Sequence, residues 1–260
     1  MSRSSAFLPI FRNEAKLVWD TKELVVVLIL MPLGIISMLK TTMEASLLAS
    51  GVTDVNGAEQ VVPGQALLFG FFLVSFIGLT FFREHGWGTW DRLRTSRATR
   101  SDILIGKTLP WSIVGLVQLV ALFALGMIVF DLQVPDASGL LGVMLVAVTW
   151  MIFVSAFSVA MVALFNSIQM VSAISNLGAM VFSALGGAIV PAAQLPAWAR
   201  AIGPAIPTHW AMEGFNAVFI DDKGVSGVLV PCAILLVFAA AFAAIAHNRF
   251  KFDAAKTSWA

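Results

Sequence analysis

Between residues 137 and 199 the chain carries no Asp, Glu, Lys or Arg. No water-facing surface can be built over so long a stretch without charge. Its one polar cluster, Asn166-Ser167-Ile168-Gln169, reads as a tight turn. The stretch is too long for a single membrane crossing, which takes about 20 mostly apolar residues, so it reads as two spans, 139–165 and 170–190. The same criterion finds 24–39, 66–82, 109–130 and 227–246, which makes six. The first two are short and either borrow flanking residues or stand upright. Over the whole chain 59% of residues are hydrophobic and 12% charged, against about 25% charged in a soluble domain, which excludes a soluble enzyme. The apolar runs are continuous, not alternating, so an outer-membrane barrel is excluded too. The expected fold is an all-α polytopic membrane protein, a single domain over 1–260. The one cysteine, Cys232, falls in the sixth span, where it reads as a small buried hydrophobe.

Charge position gives orientation. With an even number of spans both termini share a side. On that side fall Arg3, Arg12, Lys16, Lys22, Arg83, Arg92, Arg94, Arg97, Arg100, Lys107, Arg249, Lys251 and Lys256, leaving Lys40, Arg200 and Lys223 on the other. Acids divide in the opposite sense, eight of fifteen on the far side. By the positive-inside rule the termini are expected in the cytoplasm of a bacterial inner-membrane protein. The charged head before the first span includes Glu14, Asp20 and Glu23, which favours an uncleaved span over a signal peptide cut near Ala49-Ser50-Gly51.

Three segments outside the spans carry information. In 1–23, Phe7, Phe11, Ala15 and Val18 share a helical face while Arg12, Asn13, Lys16 and Asp20 lie opposite, with Glu14 and Lys22 blurring the pattern. This is either an interfacial helix or an ordinary juxtamembrane flank. The loop 83–107 is long for a connection and has Trp87, Trp90 and Leu93 at helical spacing among arginines. It suits docking to another protein, or else tryptophans in the headgroups beside a positive-inside signal. Its Gly106-Lys107-Thr108 imitates the end of a phosphate-binding loop, but Ser101 stands where the required glycine would be, so no ATP site is expected on this chain. In the outer segment 191–224, Pro191, Pro196, Pro204 and Pro207 divide the sequence. Pro196 should start a short helix over 197–202, and Thr208 should cap another running to 219, the two dipping into the membrane against protein.

In order and topological place, these segments resemble the permease subunit of the ABC type-2 exporter family, in its drug, antibiotic and lipid efflux branch. The loop signature appears as Arg83-Glu84, Gly88-Thr89, Leu93 and Gly106-Lys107. The outer signature appears as Gly186-Gly187, Pro191, Pro196-Ala197-Trp198, and Pro204 or Pro207. The sequence departs from the pattern at Gly86, where a second Glu is common, and at Arg97, where Pro is common. The resemblance implies two cytoplasmic ABC ATPase subunits and a second permease copy or homologue as partners. ATP and Mg would sit on the ATPases and no cofactor on this chain. A coupling helix would fall in 83–93, with Arg83, Glu84, Trp87, Gly88, Thr89, Trp90, Arg92 and Leu93 at the ATPase. Export of a hydrophobic or amphipathic small molecule across the lipid bilayer would follow.

No charge falls in the core of the expected spans, so an ion relay is not expected and a substrate taken from the bilayer is. Phe69, Phe72, Phe76, Gln118, Ser175 and Asn176, with Glu213 in the outer segment, are the candidates for a path or gate. Packing, helix–helix hydrogen bonding and solvation are the plainer readings for each. Ser155, Ser158 and Ser172 stand beside them as polar span residues. His85, His209 and His247 lie in separate segments on different sides and form no catalytic set. An ion-driven secondary transporter and a non-transporting scaffold or immunity protein are the alternatives.

Overall fold

A computed structural model describes residues 6–53, 55–133 and 136–250; Arg3, Asp54, Lys251, Asp253 and Lys256 of the charge map lie outside the described residues. The fold is all-helical. Among the described residues, six helices are long and apolar enough to cross a membrane: Val26–Ala49, Ala58–Gly86, Arg100–Val129, Ala137–Leu164, Ile168–Leu185 and Gly224–Arg249. The helix Phe7–Asp20 precedes them. A short helix, Trp90–Arg94, lies between the second and third spans. Two more, Ala197–Ile202 and Pro207–Phe219, lie between the fifth and sixth.

Most helices outrun their apolar cores, because backbone hydrogen bonding continues wherever water or protein receives the side chains. Lys40 and Glu44 therefore fall inside the first helix, beyond the expected end at 39. The second helix begins eight residues earlier than expected, since Glu59, Gln60 and Gln65 are buried in protein. The third begins at Arg100 because Thr99 and Asp102 cap it reciprocally, each side chain bonding the other's backbone N–H. The fifth stops at Leu185, short of the expected 190. Gly187 turns the chain with φ +85°, and the N–H groups of Ala188 and Ile189 both donate to Ser183 O. Ala197–Ile202 follows Pro196 as expected. The last outer helix starts at Pro207, whose fixed φ and missing N–H suit the first helical position, so Thr208 is a buried residue within the helix and caps nothing.

The second span sits at the centre. Its Phe71 meets Trp150, Phe153, Phe157 and Phe182 at centroid separations between 5.3 and 6.3 Å. In a bilayer such packing supplies the dispersion attraction that replaces the hydrophobic drive of water. The C-terminal end of the described chain meets the loop after the second span, where the Phe250 ring lies 6.3 Å from Trp90. This is the basic end of the sequence map.

Candidate functional site

Two regions stand out, one at the basic end and one within the spans. At the basic end the helix Phe7–Asp20 exposes Arg12, Asn13, Lys16 and Asp20, as its pattern predicts, but turns Glu14 fully inward, at 0% exposure. The blurred apolar face is therefore purposeful. Glu14 Oε2 accepts from Arg83 Nη2 at 3.1 Å, and Glu14 Oε1 accepts from Lys107 Nζ at 2.8 Å. Lys107, 1% exposed, donates in turn to Glu84 Oε1 at 2.7 Å and to Thr80 O at 3.4 Å. The other oxygen of Glu84 accepts from the Thr89 hydroxyl, and Thr89 N–H donates to Glu84 O at 3.0 Å. Two acids and two bases thus neutralise one another where the N-terminal helix, the end of the second span and the start of the third converge.

Gly106 explains the rest of the Gly-Lys pair. A Cβ there would stand 2.9 Å from Ile10 Cγ2, so only glycine lets the N-terminal helix lie this close to the third span. The glycine sets the approach and the lysine fills the charge, in a helix–helix contact with no phosphate cradle.

The loop residues are sorted by this cluster. Arg83 and Glu84 anchor it. Trp87 is 60% exposed, with the Arg83 guanidinium 5.0 Å over its ring. Gly88 and Arg92 are exposed, and Thr89 and Leu93 are half-buried. Trp90, grouped with the docking residues in the sequence, is 6% exposed and stacks on His85 at 4.6 Å. Trp87 ends the second span's helix and lies outside the loop helix Trp90–Arg94, so the two rings share no face, and Trp90 turns inward to hold the loop. Beside the cluster lies a cleft of about 340 Å³ lined by Ile10, Asn13, Glu84, Arg92 and Leu93 among others.

Within the spans, the first, second and fifth enclose a groove of about 720 Å³. Phe69, Phe72, Phe76 and Asn176 line it, as do Gln65, Ser75 and Ser172. Gln118 and Ser175 do not. Gln118 Nε2 donates to Ala66 O at 3.2 Å and Ser175 Oγ to Val171 O at 2.7 Å, so these two follow the helix-bonding reading. Ser155 and Ser158 do likewise, to Met151 O and Val74 O. Glu213 is exposed on the last outer helix, away from the groove.

The connection after the fifth span crosses the far end of this groove. Gln60 Nε2 donates to Gly187 O at 2.7 Å, and Gln194 Nε2 donates to Ser46 O at 2.8 Å and Ser50 Oγ at 3.1 Å. A Cβ at Gly64 would overlap Ala188 O, so the second span touches this strap backbone to backbone. On the last outer helix, partial burial holds His209 below the ordinary imidazole value, against a weaker upward pull from Glu213.

Sequence reasoning missed Glu14, Lys107, Gln65 and Gln194. A lone acid on an apolar face and a lysine next to glycine at a span boundary were visible signals for the first two; Gln65 and Gln194 carried none.

Comparison with known proteins bears on both regions. The model of the ABC-2 type transporter family matches residues 5–220. The linearmycin resistance permease protein LnrN of Bacillus subtilis (strain 168) is 25% identical over 153 residues, which are 59% of this chain and 39% of that protein.

Proposed function

Because the chain belongs to the ABC-2 type transporter family, and is on that ground a multi-pass membrane subunit of an ABC transporter without the ATPase role, we propose that it exports a hydrophobic or amphipathic small molecule. Its relative's name concerns resistance to linearmycin, and an antibiotic or a lipid-like molecule is the substrate class we assign here. Two ABC ATPase subunits would dock on the basic end, taken as cytoplasmic in a bacterial inner membrane. A second permease copy or a homologue would complete the assembly. ATP and Mg would be held by the ATPases.

The observation that carries this reading is the buried cluster of Glu14, Arg83, Glu84 and Lys107. A loop helix that must convey force needs a rigid connection to the spans. Ion pairs at 2.7–3.1 Å, buried on at least one side, tie the end of the second span to the third span and the N-terminal helix, and Thr89, at the start of the loop helix, bonds Glu84 of that cluster. Arg83, Glu84, Gly88, Thr89 and Leu93 shape the docking region, Trp87 and Arg92 present its outward contacts, and Trp90 braces it from within. Closure of the ATPases around ATP would push this unit as one body and switch access to the groove lined by Phe69, Phe72, Phe76 and Asn176. Gln118 and Ser175 hold the walls of that path, and Glu213 lies apart from it on the last outer helix.

The test is to purify the tagged chain co-expressed with candidate ABC ATPase subunits. Trp87→Ala/Arg92→Ala should lower ATPase recovery and abolish substrate-stimulated hydrolysis, with the permease still folded. Full assembly and coupling in that variant, or uptake driven by an ion gradient with no ATPase recovered, would overturn the proposal.

A further inference from the structure

We propose that the chain holds an anionic phospholipid at its basic end, with the headgroup phosphate at Lys22 and one acyl chain in a slot between the first and third spans. The slot measures about 410 Å³ and lies where the N-terminal helix bends into the first span. Three elements wall it. Val18, Trp19 and Lys22 come from the bend, Leu28 and Ile29 from the first span, and Val117 from the third. Whatever the chain transports, this corner meets the lipid of the leaflet at the basic end.

The slot is apolar except at its mouth. The Thr21 hydroxyl is spent on Leu17 O and the Gln118 amide on Ala66 O, which leaves Lys22 as the charged group of the wall. Lys22 is exposed and forms no ion pair among the described residues. Asp20 and Glu23 are exposed close by, but neither lines the slot. Arg12 and Lys16 are exposed on the N-terminal helix, so three bases stand against two acids around the mouth. A cation at the mouth of an apolar slot is the complement of an anionic lipid, which carries charge at one end and hydrocarbon at the other. A neutral apolar molecule would leave the lysine idle, and a soluble anion would leave the slot unfilled.

The backbone shapes this corner. The first span opens with a π-helical stretch, Val26–Leu30, before the α-helix resumes at Met31. Such stretches are rare and occur frequently at functional sites. Leu28 and Ile29 of that stretch line the slot. Trp19 is 86% exposed at its edge, the place an amphipathic ring takes at headgroup level. The same helix turns Glu14 into the cluster with Arg83 and Lys107. A lipid in the slot therefore braces the helix that carries Glu14 against the first span.

The test reconstitutes the full chain in phosphatidylcholine vesicles with rising fractions of phosphatidylglycerol brominated near the head end of one acyl chain. Bromine quenches a neighbouring indole, and the Trp19 signal is the difference between each protein and its own Trp19→Phe counterpart. Brominated phosphatidylglycerol should quench Trp19 at a mole fraction about fivefold lower than brominated phosphatidylcholine does, the ratio given by about 1 kcal/mol for one lysine beside anionic lipid. Lys22→Gln should bring the two curves together. Lys16→Gln, on the same helix but outside the slot, should leave them apart. Val117→Phe fills the slot without changing charge and should weaken the quenching. Equal quenching by the two lipids, or a preference lost as fully in Lys16→Gln as in Lys22→Gln, would mean diffuse surface attraction and overturn the proposal. Undiminished quenching in Val117→Phe would put the acyl chain outside the slot and overturn it as well.

Discussion

Glu14 is the residue on which the basic end turns. It is fully buried and faces two cations, so its loss leaves Arg83 without its acid partner and Lys107 with Glu84 alone. Breaking a buried pair by removing one partner costs about 3–5 kcal/mol. Glu14→Ala should lower the thermal midpoint of the detergent-purified chain by several degrees. Glu14→Leu combined with Lys107→Met should recover much of that loss but not substrate-stimulated ATPase activity, which would separate stability from force transmission. Gly106→Ala places a methyl against Ile10. Overpacking of this kind costs about 1–3 kcal/mol, and Ile10→Ala in the same chain should restore the midpoint. No recovery in that double variant would show that Gly106 acts through something other than this contact.

At the scale of elements, the third span depends on the reciprocal Thr99–Asp102 cap. Thr99→Ala should weaken its first turn by about 1 kcal/mol, read as faster amide exchange over 100–104 with the rest of the span unchanged. The last outer helix carries a pH dependence through His209, whose folded pKa is depressed mainly by desolvation. A depressed imidazole contributes stability that is complete above its ordinary value of 6.5 and is lost as pH falls through the folded value. Amide exchange over 207–219 should accelerate between pH 7 and pH 5, and His209→Gln should flatten that dependence.

The whole molecule is a bundle with a tied end and a strapped end. The cluster at the basic end is buried and ionic, and suited to move as one piece. The strap at the other end is held by Gln60 in the interior and by Gln194 at an exposed contact, so it is expected to release first at Gln194. Cysteines at Ser50 and Gln194 joined by a short thiol cross-linker should arrest transport, and reduction should restore it. Transport that continues with the strap fixed would exclude its opening from the cycle.

Much of this was legible in the sequence. A run from 137 to 199 without charge admits only membrane burial, and six apolar segments follow from length alone. Proline and glycine placed the outer helices, because those two residues restrict or free the backbone whatever surrounds them. The path residues divided. Phe69, Phe72, Phe76 and Asn176 reach the groove, whereas Gln118 and Ser175 face neighbouring backbone, and helical position alone does not say which side of a span meets a cavity. Trp87 and Trp90 are equivalent by spacing, at i and i+3, yet Trp87 is exposed and Trp90 is buried and stacked on His85. The sequence by itself determined the solvent of each segment, since the transfer of charge and apolar surface between water and lipid is a property of the residues. Only the tertiary structure decided the partners: that Glu14 meets Lys107 across 93 positions, and that Gln65 Oε1 has none among the described residues. Pairing in a low-dielectric interior depends on distances that fixed helices alone can set.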